Sequence, residues 1–149
     1  MQQHETLVQQ LAGVWWLQSR EDYTAEGVKL IDPVLGADPI GILAYSGTHF
    51  TAQFMRRDRS GKAELPVAFK GSNNTQAAAG YDAYFGTYRI DAQTGKVEHT
   101  LLGSVTPENI GMAVWRDLTV VDETLTIRLA THAVTGEAIT RTLTFSRLK

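Results

Sequence analysis

The chain has 149 residues, of which 43% are hydrophobic and 20% charged, with a formal net charge of −2 and no cysteine. That length suits one domain over residues 1–149, burying roughly 70% of its unfolded surface. The composition excludes an intrinsically disordered chain, and the near-balanced charge argues against nucleic acid or an anionic membrane as partner.

The opening MQQHETLVQQLAGVWW carries neither a basic region before a long apolar core nor a small-residue cleavage site, so no signal peptide is expected. No run approaches the ~20 apolar residues of a membrane-spanning helix. Without cysteine there is no disulfide or thiolate chemistry, and a reducing, cytoplasmic location is expected. Asn73-Asn74-Thr75 matches a glycosylation sequon, read here as chance.

Residues 4–11 place Leu7, Val8 and Leu11 at helical spacing and predict a short helix that closes one end of the fold. A strand over 13–20 follows, with Trp15, Leu17 and Ser19 on one face and Trp16, Gln18 and Arg20 on the other. A short extra strand is expected near 28–31. After a turn-rich stretch, 41–46 and 49–56 form a hairpin around Gly47-Thr48. Segment 57–80 breaks the rhythm: it is polar, and its end, Thr75-Gln76-Ala77-Ala78-Ala79-Gly80, combines helix formers with a glycine stop. A connection that long in a compact domain reads as a candidate lid. Five arms complete the chain at 81–91, 96–104, 111–121, 124–132 and 138–148, joined by turns at Asp91–Gly95, Asp122-Glu123 and Val134–Gly136. Eight main strands joined by successive hairpins predict an all-β, antiparallel up-and-down barrel, whose closure removes exposed edges. A barrel of eight strands is also the size that holds one small ligand.

The motifs along this pattern resemble the lipocalin-like domain of bacterial and fungal proteins, a calycin-type barrel distantly related to the secreted lipocalins. The resemblance spans about residues 11 to 147. It rests on Leu11-Ala12-Gly13-Val14-Trp15-Trp16-Leu17 with Ser19, on Gly41-x-Leu43-x-Tyr45, and on Phe50-Thr51-Ala52-Gln53 running into Met55–Asp58 and Arg59. Tyr81-x-Ala83-Tyr84-Phe85-Gly86-Thr87-Tyr88, Val97-x-His99, Gly103-Ser104, Pro107, Arg116 and Arg147 complete it. The turn read here as Ser46-Gly47-Thr48 departs from the Asp-Gly usual in the family. The resemblance implies that Trp15 plugs the barrel floor under Arg147, a cation–π contact of roughly 0.5–2 kcal/mol. It also implies an interior pocket for small, largely apolar molecules, and some members look like accessory or cyclising proteins of natural-product (secondary) metabolism.

Only alternate side chains of a strand face the lumen, so parity selects the candidates. His99 shares a face with Val97 and Leu101 and is expected inside, either as an acid/base group or as a core histidine bonded to a neighbouring Tyr or carbonyl. Tyr84, Gly86, Tyr88 and Ile90 share one face; the two phenols need partners when buried, such as each other, His99 or a ligand, and purely structural aromatics are the reading preferred over a ligand-binding role. Gln53 shares its face with His49, Thr51 and Met55, and an inward amide beside Met55 suits a polar ligand group. Arg116, on the parity of Val114, needs a carboxylate when buried, with Glu21, Asp22 and Asp117 as candidates, or an anionic ligand. The arginines of Met55–Arg59 read as a solvated rim. Bulges, expected at Gly103 or Gly111, invert these assignments locally.

His4, His49, His99 and His132 show no metal-binding spacing, and no nucleophile elbow, P-loop or dinucleotide fingerprint occurs, Gly95-Lys96 being a plain turn. No cofactor and no metal are expected; the expected partner is a small-molecule ligand, and a homodimer is left open. Two function classes follow. One is a carrier or sensor that fixes a hydrophobic ligand with Gln53, Met55, Tyr84, Tyr88, His99 and Arg116. The other is a cofactor-free isomerase, cyclase or hydratase with His99 as proton shuttle and Tyr84 or Tyr88 as electrophilic donor. A structural interaction module is the third, weaker reading.

Overall fold

A computed structural model describes residues 2–59, 73–75 and 77–149. Helix α1 (Gln2–Leu11) leads into β1 (Gly13–Thr24), followed by a two-residue β2 (Lys29–Leu30), β3 (Ile40–Ser46) and β4 (His49–Met55). β5 (Tyr81–Ile90), β6 (Val97–Ser104), β7 (Ala113–Val121), β8 (Thr124–His132) and β9 (Ala138–Arg147) complete the order. Strands β3 to β9 each pair antiparallel with the next, and β1 pairs with both β3 and β9. The result is the closed eight-stranded up-and-down barrel that the alternating arms predict, with β2 added beside the second half of β1.

Alternation decides what the barrel encloses. On β3 and β4, Leu43, Tyr45, Phe50, Ala52 and Phe54 are buried, while His49, Thr51 and Gln53 are exposed. Two bulges interrupt this pattern. On β1, Leu17 pairs with Phe145 but Ser19 with Thr144, so Gln18 is an extra residue. Beyond it the inward positions are Arg20, Asp22 and Thr24, which corrects the expectation that Ser19 continues the inner face and Arg20 turns away. On β6, Leu101 pairs with Gly86 and Gly103 with Phe85, leaving Leu102 as the extra, exposed residue one position from the expected bulge site. Gly86 is required there: a Cβ would lie 1.8 Å from the carbonyl oxygen of Thr100.

One end of the barrel is sealed from within. Trp15 is fully buried and its Nε1 donates to the Leu11 carbonyl at 2.9 Å, tying the plug to the end of α1. The Arg147 guanidinium lies 4.2 Å from the centre of the Trp15 ring and donates to the carbonyls of Gln10 (2.6 Å) and Ala12 (2.8 Å). A cation thus covers the plug and satisfies one carbonyl in the last turn of the helix and the one just past its end.

At the other end of the same two strands the chain folds over the opening. Asp32 Oδ1 accepts from the backbone N–H of Val34 (2.7 Å) and Leu35 (3.3 Å), an Asx-type turn that drives both side chains into the barrel. The arginine run does more than line a solvated rim. Arg56 donates to the Pro33 carbonyl, Arg57 pairs with Asp38, and Arg59 donates to the Ala79 carbonyl, so the three stitch neighbouring segments over the end of β4.

Of the lid candidate 57–80, residues 60–72 and 76 lie outside the described residues. The described part is not helical, which corrects the expectation for its end. Ala79 and Gly80 have φ of 51° and 79°, and Ala78 and Tyr81 exchange two backbone hydrogen bonds across them. Two successive positive φ values make a tight hairpin turn rather than a helix end, and this turn launches β5.

Candidate functional site

The bulge at Gln18 and the inner face of β9 bring charges into the barrel. Arg141 makes a two-pronged pair with Asp22, at 2.9 Å and 3.2 Å. Arg20 reaches Asp32 at 2.9 Å and stands 3.9 Å from Asp22. Burial pulls the Arg20 pKa down; for Asp32 burial acts upward, but the Arg20 charge and the Val34 N–H outweigh it and hold the carboxyl below its ordinary value. These two pairs are compensated, as buried charges must be.

Two further buried ions are not. Arg116 makes no ion pair among the described residues; its Nη1 donates to the side chain of Asn73 and, at 3.0 Å, to the Trp115 carbonyl. Burial lowers its pKa to about 10. Asp82 Oδ2 accepts from the Thr75 hydroxyl at 2.6 Å, while its fully buried Oδ1 accepts no hydrogen bond from the described residues. Burial raises the Asp82 pKa to about 6, against the opposing pull of Thr75 and of Arg20, Arg141 and Arg116. Asp82 and Arg116 both face a cavity of about 40 Å³ walled also by Arg20, Arg141, Thr75 and Tyr84. That is room for a few water molecules.

A second cavity of about 40 Å³ adjoins it, and Phe54, Tyr84, Arg116 and Leu143 wall both. Its remaining wall is apolar or aromatic, including Leu43, Phe50, Val114 and Phe145, with one polar pair. That pair is Tyr45 and His99, whose Oη and Nε2 lie 2.7 Å apart. His99 packs edge-on to Phe50 at 4.4 Å between ring centres. Burial, with Arg116 adding to it, lowers the His99 pKa to about 3, and burial raises that of Tyr45 well above its ordinary value, so both are neutral at physiological pH. Tyr84, on the shared wall, is pushed up to about 12 by burial.

The candidates read from parity separate into two groups. His99, Tyr84 and Arg116 face the paired cavities. Tyr88 is half-buried, 4.8 Å from Tyr45 between ring centres, and packs beside the pair rather than lining either cavity. Gln53 and Met55 belong to the opposite face of β4. Gln53 is exposed and its Oε1 accepts from the Tyr81 hydroxyl at 2.5 Å, so the inward amide is corrected, the core being built from Phe50, Ala52 and Phe54 instead.

The expected carboxylates for Arg116 are all engaged elsewhere: Asp22 with Arg141, Glu21 with Lys29, and Asp117 with Lys96. Sequence reasoning missed Tyr45, Thr75 and Asp82. For Asp82 the signal was available, since it shares the parity of Tyr84. For Tyr45, alternation with Leu43 across the hairpin from Phe50 was the usable sign. Among the described residues no cluster of three metal-ligating side chains occurs, and no helix is long and apolar enough to cross a membrane.

The barrel closed by β1 and β9, the Trp15 plug beneath Arg147 and the interior cavities define a plugged, closed up-and-down β-barrel. A family model described as a lipocalin-like domain matches residues 12–148, and the chain belongs to that family. Among curated proteins none matches the chain.

Proposed function

We propose that the protein binds a small amphipathic organic molecule in the barrel interior, with its apolar body in the Tyr45–His99 chamber and its polar end in the chamber of Asp82 and Arg116. The observation that carries this reading is the shared wall: Phe54, Tyr84, Arg116 and Leu143 bound an apolar cavity on one side and a charged one on the other. Apolar surroundings with a few convergent polar groups are the usual make-up of a ligand site. The free space is far below the ~300–1,000 Å³ of clefts that bury drug-sized molecules, so the ligand is compact, or the Tyr84 ring turns to merge the two chambers.

The binding reading is preferred to catalysis because a His99 whose pKa lies at about 3 is a weak proton acceptor at neutral pH. The Tyr45–His99 hydrogen bond is the one feature that favours an isomerase, cyclase or hydratase, with a buried hydroxyl as donor to a carbonyl substrate. One experiment separates the readings. The wild type and Leu143→Trp, which fills the wall between the chambers, are each incubated with a small-molecule extract of the source organism, and bound and free compounds are followed by mass spectrometry. Retention of an unchanged compound by the wild type alone supports binding. Its conversion to an isomer or hydrate supports catalysis, and retention of nothing by either protein removes the ligand reading.

A further inference from the structure

Resting on the binding reading above, the chemistry of the polar chamber narrows the class of ligand. Three guanidiniums, Arg20, Arg116 and Arg141, and two carboxylates, Asp32 and Asp82, line it, and a third carboxylate, Asp22, stands behind Arg141 as its ion-pair partner. Four of these six close on one another as Arg20–Asp32 and Arg141–Asp22. The remaining two, Arg116 and Asp82, carry opposite charges, face the same cavity and form no ion pair with each other. Arg116 offers donors only, whereas Asp82 Oδ1 is a buried acceptor that no donor among the described residues reaches.

A buried acceptor of this kind is stabilised only by a donor delivered into the cavity, and a buried guanidinium only by an acceptor. A ligand carrying a second anion would place like charge beside Asp82 and unbalance the chamber; an ammonium would do the same to Arg116. An aldehyde, ketone or ester satisfies Arg116 but strands Asp82, because a ligand that displaces water from a polar group must reproduce its hydrogen bond. What fits both is a neutral group with an acceptor and a donor on adjacent atoms. We infer that the charged chamber, through Arg116 and Asp82, selects ligands bearing a carboxamide-type head, an amide or lactam whose C=O accepts from Arg116 and whose N–H donates to Asp82 Oδ1.

Four probes of nearly the same shape test this. Benzamide has the acceptor and the donor, acetophenone the acceptor alone, benzoate a negative charge, and α-methylstyrene neither polar function. Dissociation constants are measured at pH 7.5 by following backbone amide shifts in nuclear magnetic resonance titrations. The expected result is that benzamide binds about tenfold more tightly than acetophenone or benzoate, as a hydrogen bond to a charged group warrants. In Asp82→Ala the gap between benzamide and acetophenone closes to about twofold, while α-methylstyrene binds as it does to the wild type. Equal affinity of benzamide and acetophenone for the wild type overturns the inference and leaves the binding reading intact, as does benzoate binding tightest, which would make the chamber an anion site. If none of the four binds, including the headless α-methylstyrene, the binding reading itself fails. The comparison of probes on the wild type decides the matter even where Asp82→Ala does not fold.

Discussion

Tyr45 and His99 form a hydrogen-bonded pair, 2.7 Å from Oη to Nε2, fully enclosed by the aromatic wall of the barrel. With both groups neutral, either tautomer of the imidazole completes the bond. Tyr45→Phe leaves a buried ring nitrogen without its partner and is expected to cost about 1–2 kcal/mol in urea denaturation. Loss of less than half of that would mean that water takes over the site.

The same histidine makes the fold acid-sensitive. Its folded-state pKa is depressed to about 3 from the 6.5 of a free imidazole, so between those values the unfolded chain binds a proton that the barrel refuses. Stability therefore falls as pH drops from 6.5 toward 3. His99→Phe keeps the volume and removes this term; its stability should vary less with pH in that window, read from thermal midpoints at pH 4 and 7. Parallel curves for variant and wild type would assign the acid sensitivity to other groups.

Asp82 acts in the opposite sense. Its pKa is raised from 3.8 to about 6, so the folded state holds a proton that the unfolded chain gives up, and the resulting stability fades as pH rises from about 4 through 6. Arg20 from β1, Asp32 from the turn after β2, Tyr84 from β5, Arg116 from β7 and Arg141 from β9 surround it. Replacement by Asn should stabilise the protein at pH 7.5 by up to about 3 kcal/mol, as a shift of this size warrants, with the gain vanishing near pH 4. The same substitution is expected to weaken ligand discrimination, the usual relation between a strained site and its function.

Gly86→Ala is expected to destabilise by about 3 kcal/mol or more, because the new methyl meets the backbone of Thr100 and neither strand can yield without breaking the β5–β6 ladder. Gly95 is the control. It has φ +76° and nothing near its would-be Cβ, so Gly95→Ala should cost only about 1 kcal/mol of backbone strain. Similar losses at the two positions would show that crowding at the bulge is not what fixes Gly86.

Arg147 joins the plug ring, the carbonyls of Gln10 and Ala12 at the end of α1 and, at 2.9 Å, Glu123. Arg147→Met should cost about 2–3 kcal/mol, combining the cation–π contact with the stranded carbonyls. Arg147→Lys is expected to recover less than half, since one ammonium cannot reach both the ring face and the two carbonyls. Full recovery by Lys would reduce the role of Arg147 to its charge.

The barrel was legible because alternation and turn chemistry are local: each arm from Ile40 onward announces its own face and its own ends. His99, Tyr84 and Arg116 were legible for the same reason, lying on strands whose inner face is continuous up to them. Arg20 and Asp22 were not, because Gln18 inverts the count in the middle of β1 and nothing in the residues around it marks the bulge. Gln53 was misplaced by weighing a recurring motif above the apolar run Phe50, Ala52, Phe54. The Arg116 partner was sought among acids and turned out to be the amide of Asn73, a long-range contact from the end of a connection that no periodicity describes.

The single extra residue Gln18 divides β1 into two halves of different character. Were the alternation to run through Gln18 without the bulge, Trp15 and Leu17 would stay where they are, but Ser19, Glu21 and Tyr23 would turn inward in place of Arg20, Asp22 and Thr24, and Arg141 would lose Asp22. The barrel would keep its floor and its closure while exchanging the identity of its contents.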